Sequence, residues 1–169
     1  MVSPGHAHGS FGHAGVSGGF IPGDDAGSSL HYNDWSIEME QRRINPWKWQ
    51  DNLVVSQAVE VVGGQRVLYC SGQAAIDGDG QPAHPGDMRA QIMLALDNIE
   101  TVLHKAGYQM SDVVQLNYYV TNVDAFFAAY DALAGRLAAA GIQPACTLLG
   151  VARLAFPQLL VELEATAVK

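Results

Sequence analysis

Positive charge is what this chain has least of. Nine Lys and Arg stand against 17 Asp and Glu, for a net charge of −8 and a pI near 5.0. Nucleic-acid surfaces gather Lys and Arg into a patch or stripe. Here the basic residues are scattered, with Arg42-Arg43 the one adjacent pair, so no nucleic-acid partner is expected. Cysteine is scarce too. Cys70 and Cys146 are the only two, too few for a disulfide framework, and they read as free thiols of a reducing compartment. No apolar run approaches the roughly 20 residues of a membrane span. The first residues lack the charged-then-apolar order of a secretory signal. The expectation is a soluble cytoplasmic protein with no membrane partner.

What is present suits one globular domain. The 169 residues are 49% apolar and 15% charged, enough for a single core and rather short for two. Residues 1–38 stand apart. They are rich in Gly, His and Ser, a composition that buries too little surface to offset its ordering entropy. They read as a flexible N-terminal extension, either a native leader or a cloning remnant, with 39–169 as the folded domain. His6, His8 and His13 suggest a metal, but a structural site wants four converging ligands, and no metal or cofactor is expected. Tyr32, Trp35 and Ile37 are candidates to dock on the domain or on a neighbouring subunit.

The domain's pattern is mixed. Trp47 and Trp49 follow Pro46 at its entrance, as cover for a core edge or as the wall of a ligand site. Val54–Val62 and Arg66–Ser71 are β-rich runs around Gly63-Gly64, which predicts a hairpin. Gly72 marks a bulge or a close backbone approach. Asp77-Gly-Asp-Gly opens like a calcium loop, yet Met88 falls close to where the closing glutamate belongs. Met88, Ile92, Ala95, Leu96, Ile99, Leu103 and Ala106 form one apolar stripe, predicting a helix over 87–106 capped by Asp87 and ended at Gly107. Val113–Val120 reads as a strand. Phe126, Phe127, Tyr130, Leu133 and Leu137 mark a second helix over 123–140, capped by Asn122. Cys146–Val151 and Leu159–Val168 close the chain as strands.

That order predicts an α+β domain: a mixed sheet with both helices on one face and a crossover between parallel strands. The other face then needs cover, most economically from copies of the same chain. The last strand sharpens the point. Val161, Leu163, Ala165 and Ala167 share one face, while Glu162 and Glu164 sit with Leu160 and Thr166 on the other. Carboxylates there mean a wet face or a pocket lining.

From Ile44 onward the chain resembles the RidA/YjgF family of enamine and imine deaminases. The matching pieces are Tyr69-Cys-Ser-Gly-Gln73, Gly86-Asp-Met-Arg-Ala-Gln91, Ala95-Leu-Asp-Asn-Ile99, Ala106-Gly107 and Asp112-Val-Val114. Pro144-Ala145, Val151-Ala-Arg-Leu154 and Val161-Glu-Leu-Glu-Ala165 complete the match. The resemblance implies a chorismate-mutase-like subunit, a six-stranded mixed sheet covered on one face by two helices, and a homotrimer with inter-subunit clefts. It assigns Glu162 as the acid/base and puts Cys146 in the same cleft, where deaminating members carry a carboxylate-binding arginine. A thiol cannot make that bidentate contact, and Arg153, in its own family-like run, is no substitute. Trp47 stands for a family tyrosine; Ser71 and Gly72 are kept, and Tyr130 is a further candidate to line the cleft.

Two functions follow as expectations. One is an enzyme acting on a small imine, enamine or carbonyl metabolite, with Glu162 moving protons and Cys146 as pocket lining or as nucleophile. A nucleophilic Cys146 needs a nearby base or cation, and neither His84 nor His104 is an evident one. The other is a non-catalytic trimer that binds a neutral or cationic metabolite. An endoribonuclease, a label some relatives carry, is disfavoured by the charge.

Overall fold

The computed structural model describes residues 38–49 and 51–169, within a compact unit that runs from Trp35 to Lys169. The expectations placed on His6, His8, His13, Tyr32, Trp35 and Ile37 fall outside the described residues. Among the described residues, six strands and three α-helices follow in order: β1 (Glu40–Ile44), β2 (Ala58–Val62), β3 (Val67–Ala74), α1 (Met88–Lys105), β4 (Val113–Val120), α2 (Val123–Ala128), α3 (Tyr130–Ala139), β5 (Ala145–Gly150) and β6 (Val161–Val168), with a single 3-10 turn at Met110–Asp112 before β4.

The α+β class is as expected, and the sheet organisation departs from expectation in two ways. The six strands form two sheets rather than one: a β1–β2 pair, and a four-stranded sheet in the order β3-β6-β4-β5. The hairpin expected between the second and third strands is absent. β2 pairs antiparallel with β1, an element the sequence reading did not foresee, and β3 pairs antiparallel with β6. Gly63-Gly64 therefore links two sheets. Gly63 takes φ +76°, and a Cβ on Gly64 would overlap the Val168 side chain. Beyond it, the N–H groups of Gln65 and Arg66 both donate to the Lys169 carbonyl. The chain leaving β2 is thus captured by the C-terminal strand before it can fold back on β2.

The crossover is as expected, since β4 and β5 are parallel neighbours joined through helix. The apolar stripe of α1 holds as well: Met88, Ile92, Ala95, Leu96, Ile99 and Leu103 are buried. Asp87 caps the helix by accepting from the Ala90 N–H at 3.0 Å, and Gly107 leaves it at φ +78°. The second helix is two. Ala129, at φ −110° and ψ 5°, breaks it into α2 and α3, and its N–H donates to Phe126 in a tight turn. Across the break Phe126 and Tyr130, four residues apart, keep the same-face contact of a continuous helix, ring centroids 6.0 Å apart. Alanine is the best helix former, so nothing local announces it.

All three helices lie on one face of the four-stranded sheet. The strands show which face is which. On β6, Val161, Leu163, Ala165 and Ala167 are buried and Glu162, Glu164 and Thr166 are half-exposed, with Val168 buried at the strand's end. Register carries the division across: Ala165, Leu116 and Cys146 are neighbours on the covered side, and Glu162, Tyr119 and Leu149 on the open side. Arg136 of α3 clasps α1 through Asp97 and Glu100, each at 2.8 Å.

Candidate functional site

Two sets of chemically capable side chains emerge, one on each face of the sheet. The first is a pocket of about 240 Å³ on the covered face, at the β5 edge. Its aromatic walls are Trp49, Tyr118, Phe126, Phe127 and Tyr130, and Cys146 lies among them. The chain reaches this position by a short zipper. Ser56 donates its hydroxyl to the Gln143 carbonyl at 2.6 Å and its N–H to the Pro144 carbonyl at 2.9 Å. That lays the segment before β2 along the start of β5 and brings Leu53, Val55 and Trp49 over the pocket. Of the two tryptophans offered as a ligand wall, Trp49 lines this pocket and Trp47 does not. Both tryptophans stay largely open to solvent, Trp47 at 64% and Trp49 at 70%.

The Cys146 thiol meets the Tyr118 hydroxyl at 2.9 Å and donates to the Pro144 carbonyl at 3.4 Å. Burial pushes its pKa up to about 11, against a partial offset from the hydrogen bond to Tyr118. Burial also raises the Tyr118 hydroxyl well above its usual range, with the neighbouring thiol adding to it. Both groups are neutral at pH 7. A nucleophilic cysteine needs a cation or a base to become thiolate, and no such group is in the lining. The observed chemistry is that of a hydrogen-bonding wall. Tyr130, expected as a candidate, does line the pocket. Its hydroxyl lies buried against the Val54 backbone without forming a well-directed hydrogen bond among the described residues.

The second set is on the open face. On β3, Cys70 pairs with Ala165 and Gln73 with Leu163, three steps against two, so one extra residue bulges out at Ser71-Gly72. Both readings of Gly72 hold at once, because it is in the bulge and a Cβ there would overlap the Glu162 carboxylate. Glycine is what lets that carboxylate lie against the β3 backbone. Ser71 is exposed beside it. One step along β6, Glu164 accepts from the Tyr119 hydroxyl at 2.7 Å and from the Asn117 amide at 3.5 Å. The bond to Glu164 raises the pKa of Tyr119. Glu164 is thus committed to its own strand neighbours, and Glu162 has no hydrogen bond to its carboxylate among the described residues.

Within one chain, then, Glu162 and Cys146 are on opposite faces of the same sheet. The two therefore share no cleft within a single chain.

Tyr118 and Tyr119 were not singled out from the sequence. Strand parity held the signal for the two tyrosines: one β4 neighbour points to each face. Of the calcium-like turn, Asp77 Oδ1 accepts from the N–H groups of Asp79 and Gln81, so that carboxylate shapes its own loop. Among the described residues no three His, Cys, Asp or Glu side chains converge as a metal site, and no helix is long and apolar enough to cross a membrane.

The comparisons with known proteins agree with this architecture. The endoribonuclease L-PSP family model matches residues 53–169. YyfB of Yersinia pestis, a structure described under the Rid protein family, superposes with a TM-score of 0.67 at 36% identity, over 76% of this chain and 98% of its own. The YjgF gene product of E. coli superposes at 0.56 with 27% identity, over 68% and 87%. Mitochondrial protein mmf2 of Schizosaccharomyces pombe is 37% identical over 90 residues, 53% of this chain and 68% of its own. With the family model matching residues 53–169, this chain belongs to the RidA/YjgF family, matched under the description endoribonuclease L-PSP.

Proposed function

We propose that the protein acts on a small imine, enamine or carbonyl metabolite in clefts between copies of itself, assembled as a homotrimer in the cytoplasm. Glu162 from one copy is the acid/base. The pocket around Cys146 in the next copy holds the substrate, and Ser71 and Gly72 shape the cleft around the carboxylate. In the hydrolytic version, Glu162 takes a proton from water as its oxygen adds to the C=N carbon and passes it to nitrogen, giving a carbinolamine. It then takes the carbinolamine hydroxyl proton and delivers it to nitrogen as the C–N bond breaks, releasing the carbonyl compound and ammonia. The observation that carries this reading is the unclaimed carboxylate of Glu162, laid against a glycine on a sheet face that no helix covers.

The protein is not, on this reading, a standard 2-aminoacrylate deaminase. A carboxylate-bearing substrate needs a cation, and the position beside Pro144-Ala145 holds a neutral thiol pushed to a pKa of about 11. Cys146 acts as wall rather than as nucleophile. The net charge of −8 also weighs against RNA cleavage, whatever the family description says.

Hydrolysis of freshly generated 2-aminoacrylate and of larger imines tests the proposal in wild type, Glu162→Ala and Cys146→Arg. Turnover of a larger imine that is lost in Glu162→Ala supports it. Silence throughout favours a second reading, a non-catalytic trimer that binds a metabolite. The uncharged aromatic pocket supports that alternative, because it offers binding surface without a reacting group.

A further inference from the structure

The pocket at the β5 edge has a chemical character narrower than "small metabolite". Its nine lining residues include no Asp, Glu, Lys, Arg or His. Its only polar side-chain groups are the Tyr118 and Tyr130 hydroxyls, the Cys146 thiol and the Trp49 indole N–H. An anion entering such a wall gives up hydration with no cation to replace it, and the Glu162 that the proposed site adds from the next copy has the same sign. The Tyr118–Cys146 pair is already satisfied internally, since the thiol donates to the Pro144 carbonyl and meets the tyrosine hydroxyl. Tyr130 is different. Its hydroxyl is buried against the Val54 backbone with no well-directed hydrogen bond among the described residues, so nothing there accepts its proton, which is costly unless a ligand does. The walls are aromatic on several sides: Phe126 meets Phe127 edge-on at 5.9 Å, and Phe127 meets Tyr130 at 6.2 Å. A volume of about 240 Å³ compares with the roughly 150 Å³ of an apolar cavity that takes benzene. One ring and a short substituent fit.

We infer that this pocket takes an uncharged single-ring aromatic ketone or imine. The ring lies among Trp49, Phe126 and Phe127, and the carbonyl oxygen or imine nitrogen accepts from the Tyr130 hydroxyl. The inference rests on the pocket being the substrate-holding half of the proposed site, and it names that site's substrate class.

Phenylacetone and phenylpyruvate test it, because they share the ring and the ketone and differ in one carboxylate. Titration calorimetry on the full-length assembly gives both affinities. Phenylacetone is expected to bind tighter by about tenfold or more, from the cost of burying an unpaired carboxylate. Tyr130→Phe is expected to weaken phenylacetone by about three- to tenfold, the worth of one hydrogen bond. Cys146→Arg is expected to reverse the order of the two ligands; should it fail to fold, the wild-type ratio and Tyr130→Phe decide.

Equal or tighter phenylpyruvate binding in wild type overturns the inference. So does the absence of phenylacetone binding up to its solubility limit, which means that a second copy or another segment fills the pocket. The catalytic reading fails separately. If the ketone preference holds while no imine is turned over in a Glu162-dependent way, the pocket assignment stands and the acid/base assignment falls. Glu162-dependent turnover of acidic imines, with phenylpyruvate bound better, gives the reverse.

Discussion

The two faces of the four-stranded sheet are built from the same strands and do opposite things. On β6, Leu163 is wholly buried beneath α1, and Glu162 beside it faces the uncovered side. On β4, Tyr118 is buried against Phe126, ring centroids 5.5 Å apart, and Tyr119 gives its hydroxyl to Glu164 across the sheet. The covered face is apolar and uncharged, including its pocket. The open face carries the two carboxylates together with exposed Tyr69 and Leu149, 80% and 50% accessible. A strand's period of two lets a short run such as Val161–Ala165 serve both sides at once. In that run Val161, Leu163 and Ala165 build the core while Glu162 and Glu164 face the open side.

The largest effect that sharpens this contrast is on stability. Leu163→Ala is expected to cost about 2–5 kcal/mol, as for other buried leucines. On the open side, Tyr69→Ala is expected to stay within about 0.5 kcal/mol per folded chain while weakening self-association. Urea unfolding and sedimentation velocity read the two quantities separately, and equal stability losses would erase the distinction between the faces.

The next effect concerns the covered face alone. The thiol's ordinary pKa is near 9.0 and burial moves it to about 11. At neutral pH Cys146 therefore holds about 100-fold less thiolate than a free cysteine, and its alkylation rate falls accordingly. Peptide mass mapping after iodoacetamide treatment checks this. The linked stability term has a definite sign. The native state holds its proton where the unfolded chain has lost it, so stability is undiminished below about pH 9 and declines between about pH 9 and 11. Cys146→Ala should flatten that decline.

Gly72→Ala probes the open face by a smaller step. The added Cβ occupies the place of the Glu162 carboxylate, the far end of a flexible side chain, so the fold should tolerate it. Displacing the acid/base by an ångström or more is expected to cost about tenfold or more in turnover, with the melting temperature nearly unchanged. The smallest effect is at the helix clasp. Arg136→Met removes two ion pairs that are partly open to solvent, and about 1 kcal/mol or less is expected in thermal unfolding.

Much of this was legible in the sequence, because periodicity is a local signal. The α1 stripe, the caps at Asp87 and Asn122, β4 at its observed bounds and the two faces of β6 all follow from spacing. What stayed hidden depends on partners distant in the chain. Gly63-Gly64 has the composition of a hairpin turn, and only the approach of Val168 and Lys169 shows that it joins two sheets. β1, Glu40–Ile44, is exposed along its whole length and carries Gln and two Arg, so it offers no strand alternation to read. The choice of Trp49 over Trp47 is made by Ser56 zipping onto Gln143 and Pro144, nearly ninety residues away. The assignment of Glu162 and Cys146 to opposite faces needed the register of β4 with both its neighbours. Each strand read alone gives a parity but no common reference.

The central claim is that one site draws Glu162 from one copy and the Cys146 pocket from another. Subunit mixing tests it most directly, using an imine that wild type turns over. Glu162→Gln disables one half-site, and Leu148→Arg, which puts a charge into the pocket wall, disables the other. Each variant is purified as an inactive assembly, and the two are then dissociated and reassembled together. A shared site predicts that activity returns in the mixture and depends on the mixing ratio, because some clefts then combine two intact halves. A mixture that stays as inactive as its parents, while mass measurement shows that the subunits have exchanged, would contradict the account.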